Sequence, residues 1–269
     1  MANVDNINKE LIDKVINIAK NAGDKILNVY KTSFSVKLKE NNSPLTTADL
    51  VANELITNQL KKISDYPILS EEGATIPYNI RKGWESYWLI DPLDGTKEFV
   101  KKNGDFTVNI ALIKNNHPVF GVVFAPVFNR LFWGAEKFGS WEINSSGEIK
   151  KISVSKKYND IFKIITSRSH PSSQLNSFIS QFSKIKLIQR GSSLKICLVA
   201  NGEAQIYPRL GPTMEWDTAA ADAILRNAGG HLKIYGTNDI LKYNKEELLN
   251  SRFIAIGNYI ENYYKDLKL

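Results

Sequence analysis

The sequence contains little cysteine and no long apolar run. Cys197 is the only cysteine among 269 residues, which excludes an internal disulfide and fits a reducing cytosol. The longest apolar run, residues 119–128, is interrupted by Gly121 and Pro126 and is too short to span a bilayer. The start of the chain is polar and acidic, unlike the opening of a signal peptide. We therefore expect a cytoplasmic protein without a transmembrane segment, and peripheral contact with the inner face of a membrane stays open.

Clustered positive charge is also missing. The formal net charge is +7, but the lysines are scattered, and no zinc-finger or RNA-binding signature accompanies them. These absences argue against a nucleic acid polymer as the partner, whereas a small anionic substrate can use the same positive field. Gly-x-Ser-x-Gly and Cys-x5-Arg segments are absent as well, which argues against a covalent enzyme intermediate. The sequence leaves both a monomer and a dimer open.

Hydrophobic periodicity predicts a mixed α and β protein in two halves. Apolar residues at helical spacing predict a first helix over residues 11–30 and a second helix from Thr46 or Thr47, either of which can serve as its N-cap. Short apolar runs predict strands over residues 87–90, 106–113, 119–125, 131–135 and 140–144. After about Lys151 strands alternate with helices, the helices lying over residues 172–182, 193–200 and 217–227. The economical architecture is two abutting α/β halves, residues 1–150 and 151–269.

The turn after residue 90 carries the most chemical information. An apolar run ends in Asp91 and a Pro-x-Asp-Gly turn follows, so Asp91 and Asp94 lie at the mouth of a buried strand. Pro92 fixes its own φ and offers no N–H, and the Leu93 carbonyl adds a third oxygen. Hard oxygen donors of this kind favour Mg²⁺ over zinc. Taken alone, the segment would be interpreted as a β-hairpin turn, because Asp-Gly is a common turn dipeptide.

Three further acidic positions change that interpretation. Asp49 lies in the first turn of the second predicted helix, and Asp217 precedes a late one. Glu71 and Glu72 follow a short predicted strand. Singly, Asp49 could offset the helix dipole, Asp217 could be an N-cap and the glutamates could lie on a solvated turn. Trp216 beside Asp217 places charge near buried surface, which is costly without a cation or another partner. Together the carboxylates predict a phosphatase site that holds two divalent ions.

Four segments with these carboxylates follow one another along the chain: residues 45–49 (Leu-Thr-Thr-Ala-Asp), 70–72 (Ser-Glu-Glu), 88–96 (Trp-Leu-Ile-Asp-Pro-Leu-Asp-Gly-Thr) and 216–220 (Trp-Asp-Thr-Ala-Ala). Over nearly the whole chain they resemble the motifs of the lithium-sensitive, Mg²⁺-dependent inositol monophosphatase superfamily. Where inositol monophosphatases usually continue with Thr-Asn-Phe, this chain has Lys97-Glu98-Phe99. With residues 103–112, 167–170 and 191–195, this variant is similar to the bacterial 3′(2′),5′-bisphosphate nucleotidases of the CysQ type.

The resemblance implies a fold and a metal site. The fold would be of the α/β (α+β) class, a layered α-β-α-β-α sandwich of the Mg²⁺-dependent sugar phosphatase type. Two or three Mg²⁺ ions would occupy each active site. Glu71, Asp91 and the Leu93 carbonyl would hold the first ion, and Asp91, Asp94 and Asp217 would hold the second. All of these except Asp91 would also border the substrate.

The resemblance also implies the groups that act on water and on the substrate. Asp49 and Thr96 would form a hydrogen-bonded pair that orients and deprotonates the attacking water, while Gly95 and Thr96 would donate N–H groups to the scissile phosphate. The remaining substrate contacts would be Ser167, His170, Lys195 and Arg209. Among these, His170 could equally be a surface histidine and Arg209 an ordinary loop arginine, whereas an anion contact is favoured for Lys195.

The implied activity is removal of the 3′-phosphate from adenosine 3′,5′-bisphosphate, which leaves AMP and clears a by-product of sulfate activation. The partner would be this small nucleotide bisphosphate. One alternative is an inositol or other sugar monophosphatase with the same metal site. A catalytically weak regulatory binder with the same fold is a second alternative, against which the intact carboxylate set argues.

Overall fold

The computed structural model describes residues 7–38, 44–156, 161–168 and 173–263. Its helices are α1 (Lys9–Tyr30), α2 (Thr47–Ile63), α3 (Tyr78–Arg81), α4 (Thr96–Val100), α5 (Ser173–Ile179), α6 (Leu194–Ala200), α7 (Ala219–Asn227) and α8 (Asn258–Tyr263). Its strands are β1 (Val36–Leu38), β2 (Pro44–Thr46), β3 (Ile68–Ser70), β4 (Ser86–Asp94), β5 (Thr107–Lys114), β6 (His117–Ala125), β7 (Arg130–Ala135), β8 (Gly139–Ile143), β9 (Ile149–Ile152), β10 (Phe162–Ser167), β11 (Ile185–Arg190), β12 (Ile206–Arg209), β13 (Gly230–Ile234) and β14 (Phe253–Gly257). Across the described ranges, every helix is too short or too polar to cross a membrane.

Helices α1 and α2 form one outer layer. α1 begins after Asn8, whose side-chain oxygen accepts the Leu11 N–H at 2.9 Å. α2 begins after Thr46, whose hydroxyl oxygen lies 3.2 Å from the Ala48 nitrogen. The apolar stripes of both helices pack on one face of a sheet that includes β4, β5 and β6. Both predicted helices are therefore present, and the predicted cap of α2 is confirmed at Thr46.

A seven-stranded sheet in the order β3-β4-β5-β6-β7-β8-β9 lies beneath these helices. β3 pairs with β4 in parallel, and the other neighbours are antiparallel. Trp88 and Ile90 contact the α1–α2 side, whereas Tyr87 and Leu89 belong to the cluster on the other side. Because both faces of β4 are buried, its sequence is a continuous apolar run without alternation.

Helices α6 and α7 form the middle layer, and two glycines let α7 lie directly on the sheet. A Cβ added to Gly121 would come within 2.2 Å of the Ala220 carbonyl oxygen. A Cβ added to Gly134 would lie 2.7 Å from the Ile224 Cα. The α7 backbone therefore contacts β6 and β7 without intervening side chains, which holds the start of α7 against the sheet that carries Asp91.

A five-stranded sheet in the order β11-β10-β12-β14-β13 covers the other side of α6 and α7. Its inner face includes Tyr207 and Phe253, and its outer face includes Ile206 and Ile254. α5 and α8 pack on that outer face. The five layers are thus α-β-α-β-α, as the family resemblance implies. The division predicted at residues 150/151 falls inside β9, the last strand of the seven-stranded sheet, and two separate halves stay a prediction.

Some element bounds differ from the prediction. β4 continues to Asp94 through a register shift after Asp91, and α4 separates it from β5, so the hairpin interpretation is wrong. α7 begins at Ala219, so Asp217 precedes the helix and Thr218 is its N-cap. The helix predicted over residues 172–182 is described only over Ser173–Ile179. β1, β2, β9 and β11 were not predicted, because they are only three residues long or because charged and polar residues interrupt their short apolar patterns.

Candidate metal and phosphate site

β4 ends in a corner that turns two carboxylates toward one cleft. Asp91 is buried, and its Oδ1 accepts the Leu93 N–H at 3.1 Å, which closes the backbone around Pro92. Gly95 follows with a φ of 91°, a left-handed conformation that favours glycine. α4 then begins at Thr96. The Asp-Gly dipeptide therefore forms a strand-to-helix corner in which backbone and side-chain oxygens converge.

Three carboxylates from separate segments meet at this corner. The ligand oxygens of Glu71, Asp91 and Asp217, hereafter the carboxylate cluster, all lie within 4.8 Å of one another. Glu71 follows β3, the parallel neighbour of β4, and Asp217 lies just before α7. Burial, and next the charges of neighbouring carboxylates, raise the pKa of Asp91 and of Asp217 well above the usual aspartate value.

Asp94 borders the same cleft but lies outside the carboxylate cluster. Its Oδ2 accepts the Ser193 N–H at 2.6 Å and lies 2.7 Å from the Ser193 hydroxyl oxygen. Asn109 Nδ2 lies 3.3 Å from the same carboxylate oxygen. The Ser193 hydroxyl oxygen is also 2.6 Å from the Asp217 carbonyl oxygen. Ser193 therefore connects the two aspartates that are predicted to share the second ion.

Asp49 and Thr96 are brought together as the sequence predicts. Asp49 Oδ2 accepts hydrogen bonds from the Thr46 N–H at 2.7 Å and the Thr46 hydroxyl at 2.6 Å. Asp49 Oδ1 lies 3.2 Å from the Thr96 hydroxyl oxygen, which is also 3.3 Å from the Leu93 carbonyl oxygen. Burial raises the pKa of Asp49 despite these hydrogen bonds. The geometry of the pair is therefore observed, and its part in proton transfer stays a prediction.

The predicted substrate contacts in the described ranges line the same cleft, whose volume is about 240 Å³. Ser167 ends β10, Lys195 lies in the first turn of α6, and Arg209 ends β12. His170 lies outside the described residues. The structure thus places Ser167, Lys195 and Arg209 beside the carboxylates, although their contacts with a substrate stay predictions.

Lys195 and Arg209 bring positive charge to the wall of this cleft. Lys195 is only 6% exposed, and its Nζ donates to the Ser192 carbonyl at 2.6 Å. Burial lowers the pKa of Lys195 to about 8, so at neutral pH most molecules carry the charge. Its Nζ also lies 5.4 Å from the centre of the Tyr207 ring. Arg209 Nη2 donates to the Pro212 carbonyl at 2.7 Å, which fixes the guanidinium beside Lys195 in the same cleft.

Sequence reasoning missed the residues that support the cleft from behind. Ser193 donates to Asp94, which lies 99 residues away along the chain. Asn109 donates to Ser193, which lies 84 residues away, and so helps to hold Asp94. Asp105 accepts the Gly191 N–H at 3.0 Å and pairs with an arginine, Arg168, at 3.0 Å. The segments that contain them resemble the family, but no local pattern says which distant side chain each of them contacts.

The donor set of the carboxylate cluster fits a divalent cation. The members are hard carboxylate oxygens, and Asp91 is 1% exposed. Four other buried carboxylates in the described ranges, Asp105, Glu142, Glu215 and Asp222, are offset by arginine or lysine partners. A cation bound at the cluster would likewise offset the negative charges of Asp91 and Asp217, whose burial is otherwise unfavourable.

The model of the inositol monophosphatase family matches residues 7–266, and the chain belongs to this family. Among curated relatives, the 3′(2′),5′-bisphosphate nucleotidase CysQ of Buchnera aphidicola subsp. Acyrthosiphon pisum is 42% identical over 258 residues, which are 94% of this chain and 96% of the relative. The protein of the same name from Escherichia coli K12 is 43% identical over 216 residues, which are 80% of this chain and 86% of the relative.

Solved structures show the same fold. The crystal structure of CysQ from Bacteroides thetaiotaomicron, a bacterial member of the inositol monophosphatase family, has a TM-score of 0.82 and 41% identity, covering 91% of this chain and 96% of that one. The extragenic suppressor protein SuhB from Bartonella henselae has a TM-score of 0.79 and 24% identity, covering 97% and 98%. The second similarity concerns the fold alone.

Proposed function

We propose that this protein is a Mg²⁺-dependent 3′(2′),5′-bisphosphate nucleotidase that hydrolyses adenosine 3′,5′-bisphosphate to AMP and phosphate. The observation that carries the proposal is the carboxylate cluster, which shares one cleft with Thr96 and with the cations Lys195 and Arg209. Carboxylates that bind divalent ions suit the phosphate that is cleaved, and the cations suit a substrate with a second phosphate. The names of the two relatives at 42% and 43% identity support the same substrate class.

The chain's own oxygens would hold the ions. We assign Glu71, Asp91 and the Leu93 carbonyl to one Mg²⁺ and Asp91, Asp94 and Asp217 to a second. Because Ser193 engages Asp94 Oδ2, Oδ1 is the oxygen that we assign to the ion. When bound, Mg²⁺ supplies Lewis acidity and offsets the negative charge of the phosphate ester.

Thr96 and Asp49 are assigned to the attacking water. When the Thr96 hydroxyl donates to Asp49 Oδ1, across 3.2 Å, its oxygen is free to accept a hydrogen bond from water. The proton that leaves the water passes to Thr96, whose own proton moves to Asp49. The raised pKa of Asp49 favours holding that proton, and the two hydrogen bonds from Thr46 keep the carboxylate in orientation.

Substrate binding is assigned to backbone groups and to the cleft wall. The N–H groups of Gly95 and Thr96 would donate to the scissile phosphate where β4 turns into α4. The second phosphate and the nucleoside would contact Ser167, His170, Lys195 and Arg209. In this arrangement Lys195 and Arg209 attract a more highly charged substrate, which distinguishes a nucleotide bisphosphate from a sugar monophosphate.

Initial rates on adenosine 3′,5′-bisphosphate and on inositol 1-phosphate test the substrate assignment. We expect a higher kcat/KM for the bisphosphate. A higher value for the inositol ester would replace the proposal with a sugar monophosphatase. Tight binding of the bisphosphate with no phosphate release at saturating Mg²⁺ would instead favour a regulatory binder.

Asp94→Asn tests the metal assignment. We expect Mg²⁺-dependent phosphate release to fall by more than about 100-fold, because even changes to groups that support metal ligands cost roughly 10–100-fold. Asp24→Asn, at an exposed position on α1, is the matched control and should keep the wild-type rate. Equal rates for Asp94→Asn and Asp24→Asn would contradict the ligand role of Asp94.

Other properties implied by the family remain part of this proposal. They include inhibition by Li⁺, activity on 3′-phosphoadenylyl sulfate and a place in sulfate assimilation. The cytoplasmic location, peripheral membrane contact, and the choice between monomer and dimer also stay predictions. Phosphate release in the presence of Li⁺ would test the inhibition. Light scattering of the purified protein would test whether it is a monomer or a dimer.

A further inference from the structure

A buried network behind the carboxylate cluster joins the segments that carry its members. Residues 72–85 connect Glu71 to the strand of Asp91 and include α3. Residues 213–218 carry Asp217. Both segments are hydrogen-bonded to a third, residues 244–250, between β13 and β14. The network's central side chains, Arg81 and Glu215, do not line the cleft, and the proposed chemistry does not use them.

Arg81, at the end of α3, binds the third segment through both terminal nitrogens of its guanidinium group. Its Nη1 donates to Asn244 Oδ1 at 3.0 Å and to the Lys245 carbonyl at 2.5 Å. Its Nη2 donates to the Glu246 carbonyl at 2.6 Å. Asn244 Nδ2 returns a hydrogen bond to the Arg81 carbonyl at 2.7 Å. Arg81 is 3% exposed, so these contacts fix the segment between Glu71 and β4 in one position.

Glu215 holds the same third segment from the other side. It is fully buried, and its carboxylate accepts the Asn244 N–H at 2.7 Å and the Lys245 N–H at 3.0 Å. Lys245 Nζ completes an ion pair with it at 2.6 Å. Arg81 and Glu215 therefore both contact two consecutive residues, 244 and 245, and the hydrogen bonds of each depend on the position of that dipeptide.

Asn250 extends the contact to the backbone around Asp217. Its Nδ2 donates to the Met214 carbonyl at 2.8 Å and to the Thr218 hydroxyl at 3.0 Å. The Met214 N–H in turn donates to Asp217 Oδ2 at 2.9 Å. The third segment thus determines where the Asp217 carboxylate is held, as well as where its backbone lies.

We propose that the network of Arg81, Asn244 and Glu215 is a positioning clamp that holds Asp217 at the correct distance from Glu71 and Asp91, and so sets the affinity of the carboxylate cluster for a divalent cation. The proposal rests on the proposed metal site and is independent of the substrate. Metal affinity depends on ligand geometry, and groups that orient ligands typically contribute 10–100-fold to it. Without the clamp, residues 72–85 and 213–218 would lose their shared contacts with residues 244–250, and the cluster would widen.

Isothermal titration calorimetry of the whole protein with Mg²⁺ measures the effect directly. We expect Arg81→Met to raise the Kd for Mg²⁺ about 10–100-fold. Glu215→Gln keeps the side-chain shape and should also raise the Kd for Mg²⁺. The matched control is Arg130→Met, because Arg130 is also a partly buried arginine that joins distant segments, through Glu142 and Glu203 at 2.6 Å each, away from the cleft. Thermal unfolding of each metal-free variant shows how much stability each has lost.

The proposal is supported if Arg81→Met weakens Mg²⁺ binding more than Arg130→Met does at a comparable loss of Tm. It is overturned if the two variants have the same Kd for Mg²⁺, or if Arg81→Met binds as the wild type does. Should Arg81→Met not fold, Arg81→Lys decides in the same way, since it keeps the charge and loses the guanidinium group. A wild-type protein that binds no Mg²⁺ overturns both this proposal and the metal site. A wild type that binds Mg²⁺ but leaves the bisphosphate intact overturns the substrate assignment alone.

Discussion

Ser193 offers a direct test of how the cleft is held together. Its hydroxyl oxygen lies 2.7 Å from Asp94 Oδ2, 2.6 Å from the Asp217 carbonyl oxygen and 2.8 Å from Asn109 Nδ2. The residue is 3% exposed, so water does not readily replace these contacts. Ser193→Ala removes the hydroxyl and keeps the backbone N–H that donates to Asp94 at 2.6 Å.

The structure sets the size of the expected effect. Removing the hydroxyl leaves buried polar groups of Asn109 and Asp217 short of a partner, which costs about 1–3 kcal/mol. For a chain of this length, about 1 kcal/mol corresponds to roughly 2–4 °C in Tm, so we expect a decrease of about 2–12 °C. Asp94 also loses one of the bonds that orient it, and we expect turnover to fall about 10–100-fold.

Ser140→Ala is the matched control for this experiment. Ser140 is fully buried, and its hydroxyl donates to the Ile224 carbonyl at 2.6 Å, in the core beneath α7. Both variants should lose stability in thermal unfolding, but only Ser193→Ala should lose turnover and Mg²⁺ affinity. The reasoning is refuted if Ser193→Ala keeps wild-type turnover while its Tm falls as much as that of Ser140→Ala. An unchanged Tm would refute the energetic part separately.

Three further predictions concern protons, water and packing. Burial and neighbouring carboxylates raise the pKa of Asp91 and Asp217. The metal-free folded state therefore binds more protons than the unfolded state does. Its stability should fall as pH rises above the ordinary aspartate pKa of about 4. Mg²⁺ requires ionised ligands, so it should raise Tm more at pH 8 than at pH 5; an equal rise at both would contradict the assignment. Asp49→Asn should keep Mg²⁺ binding in calorimetry while phosphate release falls, because Asp49 is assigned to water; loss of binding would make it a metal ligand. Gly121→Ala should lower the free energy of unfolding in urea by about 1–3 kcal/mol or more, because its Cβ would meet the Ala220 carbonyl oxygen at 2.2 Å; wild-type stability would contradict the close contact of α7 with β6.

Most of the helices and strands could be predicted from the sequence, because their signals are local, whereas the order of the layers was implied by the family resemblance. The amphipathic stripe of α1, the Thr46 cap of α2 and the apolar run of β4 each depend on neighbouring residues. The exceptions are instructive. β11 carries charged and polar residues on a half-exposed edge, so its hydrophobic signal is weak and only pairing with β10 makes it a strand.

For the candidate site, the residues could be identified from the sequence, but the distances between them could not be predicted. Asp49, Asp91 and Asp217 are identifiable because each lies at the end of a predicted element within a segment that resembles the family. Their mutual distances could not be predicted, since they depend on how α2 and α7 pack on the two faces of the sheet that contains β4. The hydrogen bonds to Asp94 illustrate the limit, because Ser193 comes from 99 residues away and carries no local mark of that contact.

The sequence by itself determined which chemistry this protein can perform. Its one cysteine, its Asp-Pro-Leu-Asp-Gly corner and its carboxylates at element ends exclude a disulfide and point to oxygen ligands for a divalent ion, because these properties belong to residue types and short-range geometry. Only the tertiary structure decided which groups act together. Ser193 reaches Asp94, and Arg81 and Glu215 meet at residues 244 and 245, because two sheets pack around α6 and α7 and bring distant segments within hydrogen-bond distance.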